Sequence, residues 1–189
     1  MSATDAREID GTEMQTTSRW QRCLFVLVFA GLGIGLDQIT KKMALKSLAG
    51  EGPIRVIGDY AVLQYAENRG GFLSLGATLP ENVRFWLLTV FTGAILVGLA
   101  WLVLFKSNLT RGELVSFALL LTGGIGNLID RIRFDGIVVD FMVLGIGSLR
   151  TGVFNVADVA IMAGIFLLFG LQFFPRPKPQ GVTDESSAP

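Results

Sequence analysis

The sequence predicts an all-α integral membrane fold: four transmembrane helices, with a small extramembrane β-element between helices 1 and 2. Three observations predict it. Four long apolar runs divide the chain. The composition, 51% apolar against 17% charged with a mean hydropathy of +0.55, is unusual for a water-soluble domain. Asp37, Asp130, Asp140 and Asp158, which such runs should exclude, all fall on one side of the implied membrane, and an ionisable group at membrane depth is a functional-site hypothesis by default.

Residues 1–18 are polar and lack periodicity, as expected of a disordered tail, and residues 19–174 form one membrane domain. The first apolar run is Cys23 to Leu36. Arg19 and Arg22 precede it as in a secretory signal peptide, but no small-residue cleavage site follows, and Asp37, Gln38, Lys41 and Lys42 would make an odd boundary, so it reads as a retained helix. The segment before the second run is too long for a turn. Within it Ile54 to Ile57 and Tyr60 to Tyr65, rich in β-branched and aromatic residues around Gly58-Asp59, suggest a hairpin at the membrane surface. The second run, Phe85 to Phe105, alone meets the roughly 20 residues that cross a hydrocarbon core of about 30 Å. A short connection near Lys106 to Arg111 leads to the third, Leu114 to Ile129, and the fourth is Val153 to Phe174, broken by Asn155, Asp158 and Gln172. The first and third are short, and span if their polar ends lie inside the headgroup boundary or the bilayer thins. Residues 175–189, with Pro175, Pro177 and Pro179 before a Ser-rich end, read as a second disordered tail.

Composition also excludes functions. A net charge of zero argues against a nucleic-acid partner. The single cysteine, Cys23, excludes an internal disulfide and reads as a small packing residue. The absence of histidine removes Ser-His and Cys-His hydrolases and His-ligated zinc proteases. No cofactor or metal is expected.

Counting passes gathers the polar residues. In an antiparallel four-helix arrangement the end of helix 1, the end of helix 3 and the start of helix 4 share one side with the two longer loops. Asp37, Asn127 with Asp130, and Asn155 with Asp158 occupy those positions, and Asn68 and Asp140 lie in the loops. Asn127 and Asp130 are three apart, as are Asn155 and Asp158, so each pair projects from one helix face. Arg131 can reach back to Asn127 or pair with an aspartate. Gly123, Gly124 and Gly126, and Gly31 with Gly35, would let helices approach closely. Structural roles compete with functional ones: Asp37 and Lys41 have the i,i+4 spacing of an interfacial ion pair, and Asp130 with Arg131 could be a buried pair holding helices together. Several carboxylates converging on one end, two preceded by Asn at the same spacing, exceed what solvation requires.

Two carboxylates close together in a low-dielectric site cannot both ionise easily, so one keeps a proton while the other acts as a base. Such a dyad can activate water against a peptide carbonyl while the protonated partner donates to its oxygen. Neighbouring Asn side chains suit orientation of the dyad or hydrogen bonding to a developing oxyanion.

Five blocks resemble the lipoprotein signal peptidases, or signal peptidase II: Asp37-Gln38-Ile39-Thr40-Lys41, Asn68-Arg69-Gly70, Gly123 through Arg131, Val138-Val139-Asp140-Phe141 and Phe154-Asn155-Val156-Ala157-Asp158. The resemblance covers roughly residues 20–174. It implies a membrane aspartic endopeptidase of the bacterial inner membrane that cuts a prolipoprotein before a diacylglyceryl-modified cysteine. The catalytic pair it implies is Asp140 and Asp158; the residue pattern by itself leaves Asp130 an equal candidate to Asp140. Asp37, Gln38, Lys41, Asn68, Gly70, Asn127, Asp130, Arg131 and Asn155 would support the site or bind substrate. The partners implied are lipidated prolipoproteins and membrane lipids; a monomer is the expectation, and nothing in the sequence itself sets the oligomeric state.

The chain departs from the family pattern where Gly71-Phe72-Leu73-Ser74 places an aromatic one position early, which bears on specificity or inhibitor response. The family orientation puts the site outside and both termini in the cytoplasm. Yet nine Lys/Arg lie on the site face and seven on the other, so the positive-inside count does not favour it. Two other classes remain open: a proton-coupled transporter, which should carry mid-span aspartates and broken or repeated helices, and a non-catalytic lipoprotein-binding paralogue, which should lack a catalytic aspartate. A serine-lysine protease built on Ser74 has nothing to fix a lysine beside it.

Overall fold

The computed structural model describes residues 18–71, 74–106 and 108–173. Both expected tails, apart from Ser18, and the early aromatic Phe72 lie outside the described residues. Helix α1 runs Arg19–Leu48, α2 Glu81–Phe105, α3 Arg111–Arg133 and α4 Val156–Phe173, and all four are long and apolar enough to cross a membrane. Strands β1 (Ile54–Ile57) and β2 (Ala61–Asn68) precede α2, and β3 (Val138–Ile146) and β4 (Leu149–Arg150) join α3 to α4.

Local chemistry sets the helix ends. Ser18 and Gln21 form a capping box at the start of α1, and Thr110 and Glu113 form another at the start of α3, satisfying otherwise orphaned N–H groups. Helix α1 continues past its apolar run to Leu48 because Asp37 and Lys41, which ought to end it in lipid, face protein and are buried. Within α2, Trp86–Phe91 winds as a π-helical segment.

Helix α3 is the central one: 56% of its most apolar window is buried, against 11% for each of the other three. It carries Leu114, Phe117 and Leu121 into a core shared with Leu96 and Val103 of α2. Leu24, Leu27 and Leu32 of α1, Val97 and Trp101 of α2 and Phe166 and Phe169 of α4 remain exposed, as lipid-facing residues should.

The β-element is larger than a hairpin. Its antiparallel order is β1-β2-β3-β4, so half of it comes from the loop between α3 and α4. Gly58, at φ +49°, lies in the β1–β2 turn. A register shift between Leu63 and Ala66 sets Ala66 opposite Asp140 and Asn68 opposite Val138. Phe141 of β3 packs with Ala44 and Leu48 of α1, beside Leu63 and Tyr65 of β2. Alternation along the strand then turns Asp140 to the other side.

At the far end of the bundle Arg22 is 6% exposed, and its Nη1 donates to the Lys106 carbonyl at the end of α2, 2.5 Å away. A cation there meets the negative end of the helix dipole. Arg22→Met should lower the unfolding free energy by about 1.5–3 kcal/mol, the range for hydrogen bonds to charged groups. It should leave activity per folded molecule unchanged, because Asp37 is about 22 Å away along α1. Thermal unfolding in detergent, with activity normalised to folded protein, checks both.

Candidate active site

Five elements, α1, β2, α3, β3 and α4, meet at one polar cluster. Asp158 lies in the first turn of α4, where Asn155 and Asp158 cap the helix reciprocally: the Asp158 N–H donates to Asn155 Oδ1 at 2.9 Å and the Asn155 N–H to Asp158 Oδ2 at 3.1 Å. The three-residue spacing is that of a capping box, and it places Asp158 where the helix dipole stabilises negative charge. Asn155 has a second use. Its Nδ2 donates to Asp140 Oδ1 at 2.6 Å and to Asn127 Oδ1 at 3.1 Å. One fully buried asparagine thus bonds to both Asp140 and Asp158.

Asp140 is 1% exposed on β3. Its other oxygen accepts from Asn68 Nδ2 of β2 at 2.9 Å. Asn68 Nδ2 also donates to the Gly71 carbonyl at 2.9 Å, while its Oδ1 accepts the Gly70 N–H at 3.0 Å, fastening the following loop to the aspartate. A Cβ on Gly70 would sit 2.6 Å from the Ser74 carbonyl oxygen, so that tight turn requires glycine. Burial, with the Asp158 charge adding to it, pushes the Asp140 carboxyl up to about 6.

That shift couples stability to pH. The folded state holds the Asp140 proton more tightly than the unfolded chain, whose carboxyl has the ordinary value of 3.8. The contribution is therefore fully present below that value and lost as pH rises through about 6. Roughly 3 kcal/mol is at stake at one pKa unit per 1.36 kcal/mol. Between pH 4 and pH 7 the unfolding midpoint of the wild type should fall relative to that of Asp140→Ala, which lacks the titrating group; parallel curves would contradict the assignment.

Behind the pair lies an ionic core. Lys41 pairs with Asp37 and Asp130, each at 2.9 Å, and its Nζ donates to Asn127 Oδ1 at 2.9 Å. Asn127 Nδ2 donates to Asp158 Oδ1 at 2.8 Å. Gln38 Nε2 reaches Asp130 Oδ1 at 2.9 Å and the Gly126 carbonyl at 3.2 Å. Asp37 and Lys41 therefore do form the i,i+4 pair, but a buried one rather than an interfacial one. The ion-pair partner of Asp130 is Lys41, not Arg131. Arg131 reaches back to the Asn127 carbonyl at 3.5 Å, and its charge acts on Asp158, Asp140 and Asp130. Its buried Nε has no hydrogen-bond partner among the described residues.

Helix approach makes the cluster possible. A Cβ on Gly123 would overlap the Ala157 carbonyl, and one on Gly126 would sit 2.7 Å from Asp37 Oδ2. Gly31 and Gly35 have nothing within 4 Å of such an atom, so they are not contact glycines; Gly33, packed against Thr122, is the one on α1 that is.

Every site residue expected from sequence among Asp37, Gln38, Lys41, Asn68, Gly70, Asn127, Asp130, Arg131, Asp140, Asn155 and Asp158 lies in or beside this network. What residue types alone could not signal are two backbone donors, the N–H groups of Val139 and Ala157, which bond to Asp130 and Asp37.

The family model for signal peptidase (SPase) II matches residues 29–174. The lipoprotein signal peptidase of Pelodictyon phaeoclathratiforme is 38% identical over 164 residues, covering 81% of this chain and 94% of that protein. Its counterpart in Sphingopyxis alaskensis is 38% identical over 148 residues, covering 76% and 82%. That of Chlorobium phaeobacteroides strain BS1 is 40% identical over 158 residues, covering 78% and 96%. The chain belongs to the signal peptidase II family. Membership makes it a multi-pass bacterial membrane protein and a protease. The fold of this signal peptidase II family member is also found in a solved structure. A bacterial membrane enzyme solved by the in meso method at 2.3 Å resolution superposes with a TM-score of 0.68 at 24% identity, over 84% of this chain and 94% of that one.

Proposed function

We propose that the chain removes signal peptides from prolipoproteins as an aspartic endopeptidase, hydrolysing the bond before a diacylglyceryl-modified cysteine. The observation that carries this is the pairing of Asp140 and Asp158 through Asn155, from separate elements, beside a cationic side chain with donors to spare.

In this mechanism Asp158, at a helix N-terminus, is the base. It takes a proton from a water that attacks the carbonyl carbon of the residue before the cysteine. Asp140, buried and slow to ionise, donates its proton to the carbonyl oxygen as the tetrahedral intermediate forms. Collapse breaks the C–N bond: the proton on Asp158 passes to the cysteine nitrogen, and a hydroxyl proton of the intermediate returns to Asp140. Asn127 and Asn155 hold the carboxylates in register, and Arg131 stabilises charge on the oxygen. No metal or cofactor takes part.

The domain at 19–174 works as a monomer among membrane lipids, in the inner membrane. The site and the β-element face the outer side and both termini lie in the cytoplasm; a reporter fused at the C-terminus should report a cytoplasmic location. Expression in a bacterium depleted of its own lipoprotein signal peptidase tests the activity: accumulated prolipoprotein should be chased to the mature form. Persistence of the precursor beside well-expressed, membrane-inserted protein would favour a lipoprotein-binding role.

A further inference from the structure

Lys41 is 3% exposed and makes three short contacts: to Asp37 Oδ2, Asp130 Oδ2 and Asn127 Oδ1, each at 2.9 Å. An ammonium has three donors, and these three acceptors use all of them. Each acceptor also bonds either to a dyad aspartate or to the residue that precedes one. Asp37 Oδ1 accepts the N–H of Ala157 at 2.9 Å, and Ala157 immediately precedes Asp158. Asp130 Oδ2 accepts the N–H of Val139 at 3.2 Å, and Val139 immediately precedes Asp140. Asn127 donates to the Asp158 carboxylate itself at 2.8 Å.

We propose that Lys41 is the positioning residue of the dyad, one buried cation that fixes the backbone ahead of both aspartates and the orientation of the Asn127 amide. The inference rests on the aspartic reading of the site.

Two physical features separate this role from that of an ordinary buried ion pair. First, the contacts are symmetric with respect to the dyad: α4 is tied through Asp37 and β3 through Asp130, so the ammonium sets the spacing between the strand and the helix that carry the two carboxyls. Second, a cation can face only the oxygen of an amide. With Lys41 Nζ and Asn155 Nδ2 both on Asn127 Oδ1, the NH2 end must face Asp158. The reversed amide would set its carbonyl against the carboxylate. The groups around the dyad from each packed element are Asp37 and Lys41 of α1, Asn68 of β2, Asn127, Asp130 and Arg131 of α3, and Asn155 ahead of α4. Lys41 and Arg131 are the two cations in this set, and the Lys41 charge favours the ionised form of Asp140, so removing it favours the protonated form of that carboxyl.

The test measures kcat and KM on a diacylglyceryl-modified prolipoprotein across a pH series, for wild type, Lys41→Met and Lys41→Gln, with Asp140→Asn and Asp158→Asn alongside. Folded Lys41→Met should lose about 100-fold in kcat, the scale of a misplaced catalytic group, with KM within about 3-fold and the whole pH profile displaced upward. Lys41→Gln, which keeps donors but no charge, should lie between it and the wild type. Wild-type kcat and pH profile in either folded lysine variant would overturn the proposal. So would failure of both to fold, because the role would then be structural alone. Cleavage surviving in the aspartate variants would instead defeat the aspartic reading, whatever Lys41 does.

Discussion

Asp140→Asn and Asp158→Asn should each reduce cleavage of a lipidated prolipoprotein by at least about 10³-fold, within the range that a general acid or base contributes, while the protein still folds. Both replacements keep size and remove only the capacity to exchange a proton. Asp158→Asn retains an oxygen to accept one bond of the helix cap, so α4 keeps its start. Asp140→Asn turns an NH2 toward one of two donors, Asn68 or Asn155, and loses that bond. Asp158→Asn likewise turns an NH2 toward either the Asn155 N–H or Asn127 Nδ2 and loses that bond, so the two stability costs should be similar, and both should elute as folded monodisperse protein. Asp130→Asn is the informative companion. It too is buried, 1% exposed, but it bonds to Lys41, Gln38 and the Val139 N–H rather than facing the dyad. Slowed but measurable turnover is expected there, and turnover as low as in the dyad variants would reopen the choice between Asp130 and Asp140.

Gly123→Val should be the most damaging single change away from the carboxylates. A Cβ at that position would overlap the Ala157 carbonyl and lie 2.6 Å from Ile161 Cγ1. A backbone carbonyl cannot give way, so α3 and α4 must separate. Overpacking of this kind costs about 1–3 kcal/mol. The functional loss should be larger, because Asn127 follows one turn later on the same face and reaches Asp158 across this contact at 2.8 Å. Activity per folded molecule should fall about 100-fold. Gly31→Ala, where the added atom meets nothing within 4 Å, should change stability by no more than about 0.5 kcal/mol. Thermal unfolding and turnover of the two variants side by side check the contrast.

Much of the site was legible because membrane depth makes polar residues conspicuous. Asp37, Asn127, Asp130, Asn155 and Asp158 stand out at the ends of apolar runs, and the number of passes places those ends together. The extent of α1 was not legible in the same way: hydropathy stops at Leu36, and only burial against α3 explains a helix that continues through Asp37 and Lys41 to Leu48. The second half of the sheet was missed because the turn chemistry at Gly58 marks a local hairpin, whereas β3 pairs with β2 across 70 or more residues, as at Asn68 and Val138. The Asn155 to Asp158 spacing was visible, but its use as a helix cap depended on where α4 begins. The ionic partner of Asp130 was misplaced onto the adjacent Arg131, since adjacency in sequence says little about side chains that leave a helix about 100° apart.

The central claim is that cleavage occurs before a lipidated cysteine and depends on the lipid. The most direct measurement is mass spectrometry of the products formed by purified wild-type protein in detergent from a diacylglyceryl-modified prolipoprotein and from its unlipidated form. The account predicts two products from the lipidated substrate, one beginning with the modified cysteine, and none from the unlipidated one. Cleavage of both at equal rates, a cut at another bond, or no cleavage by folded protein would contradict it.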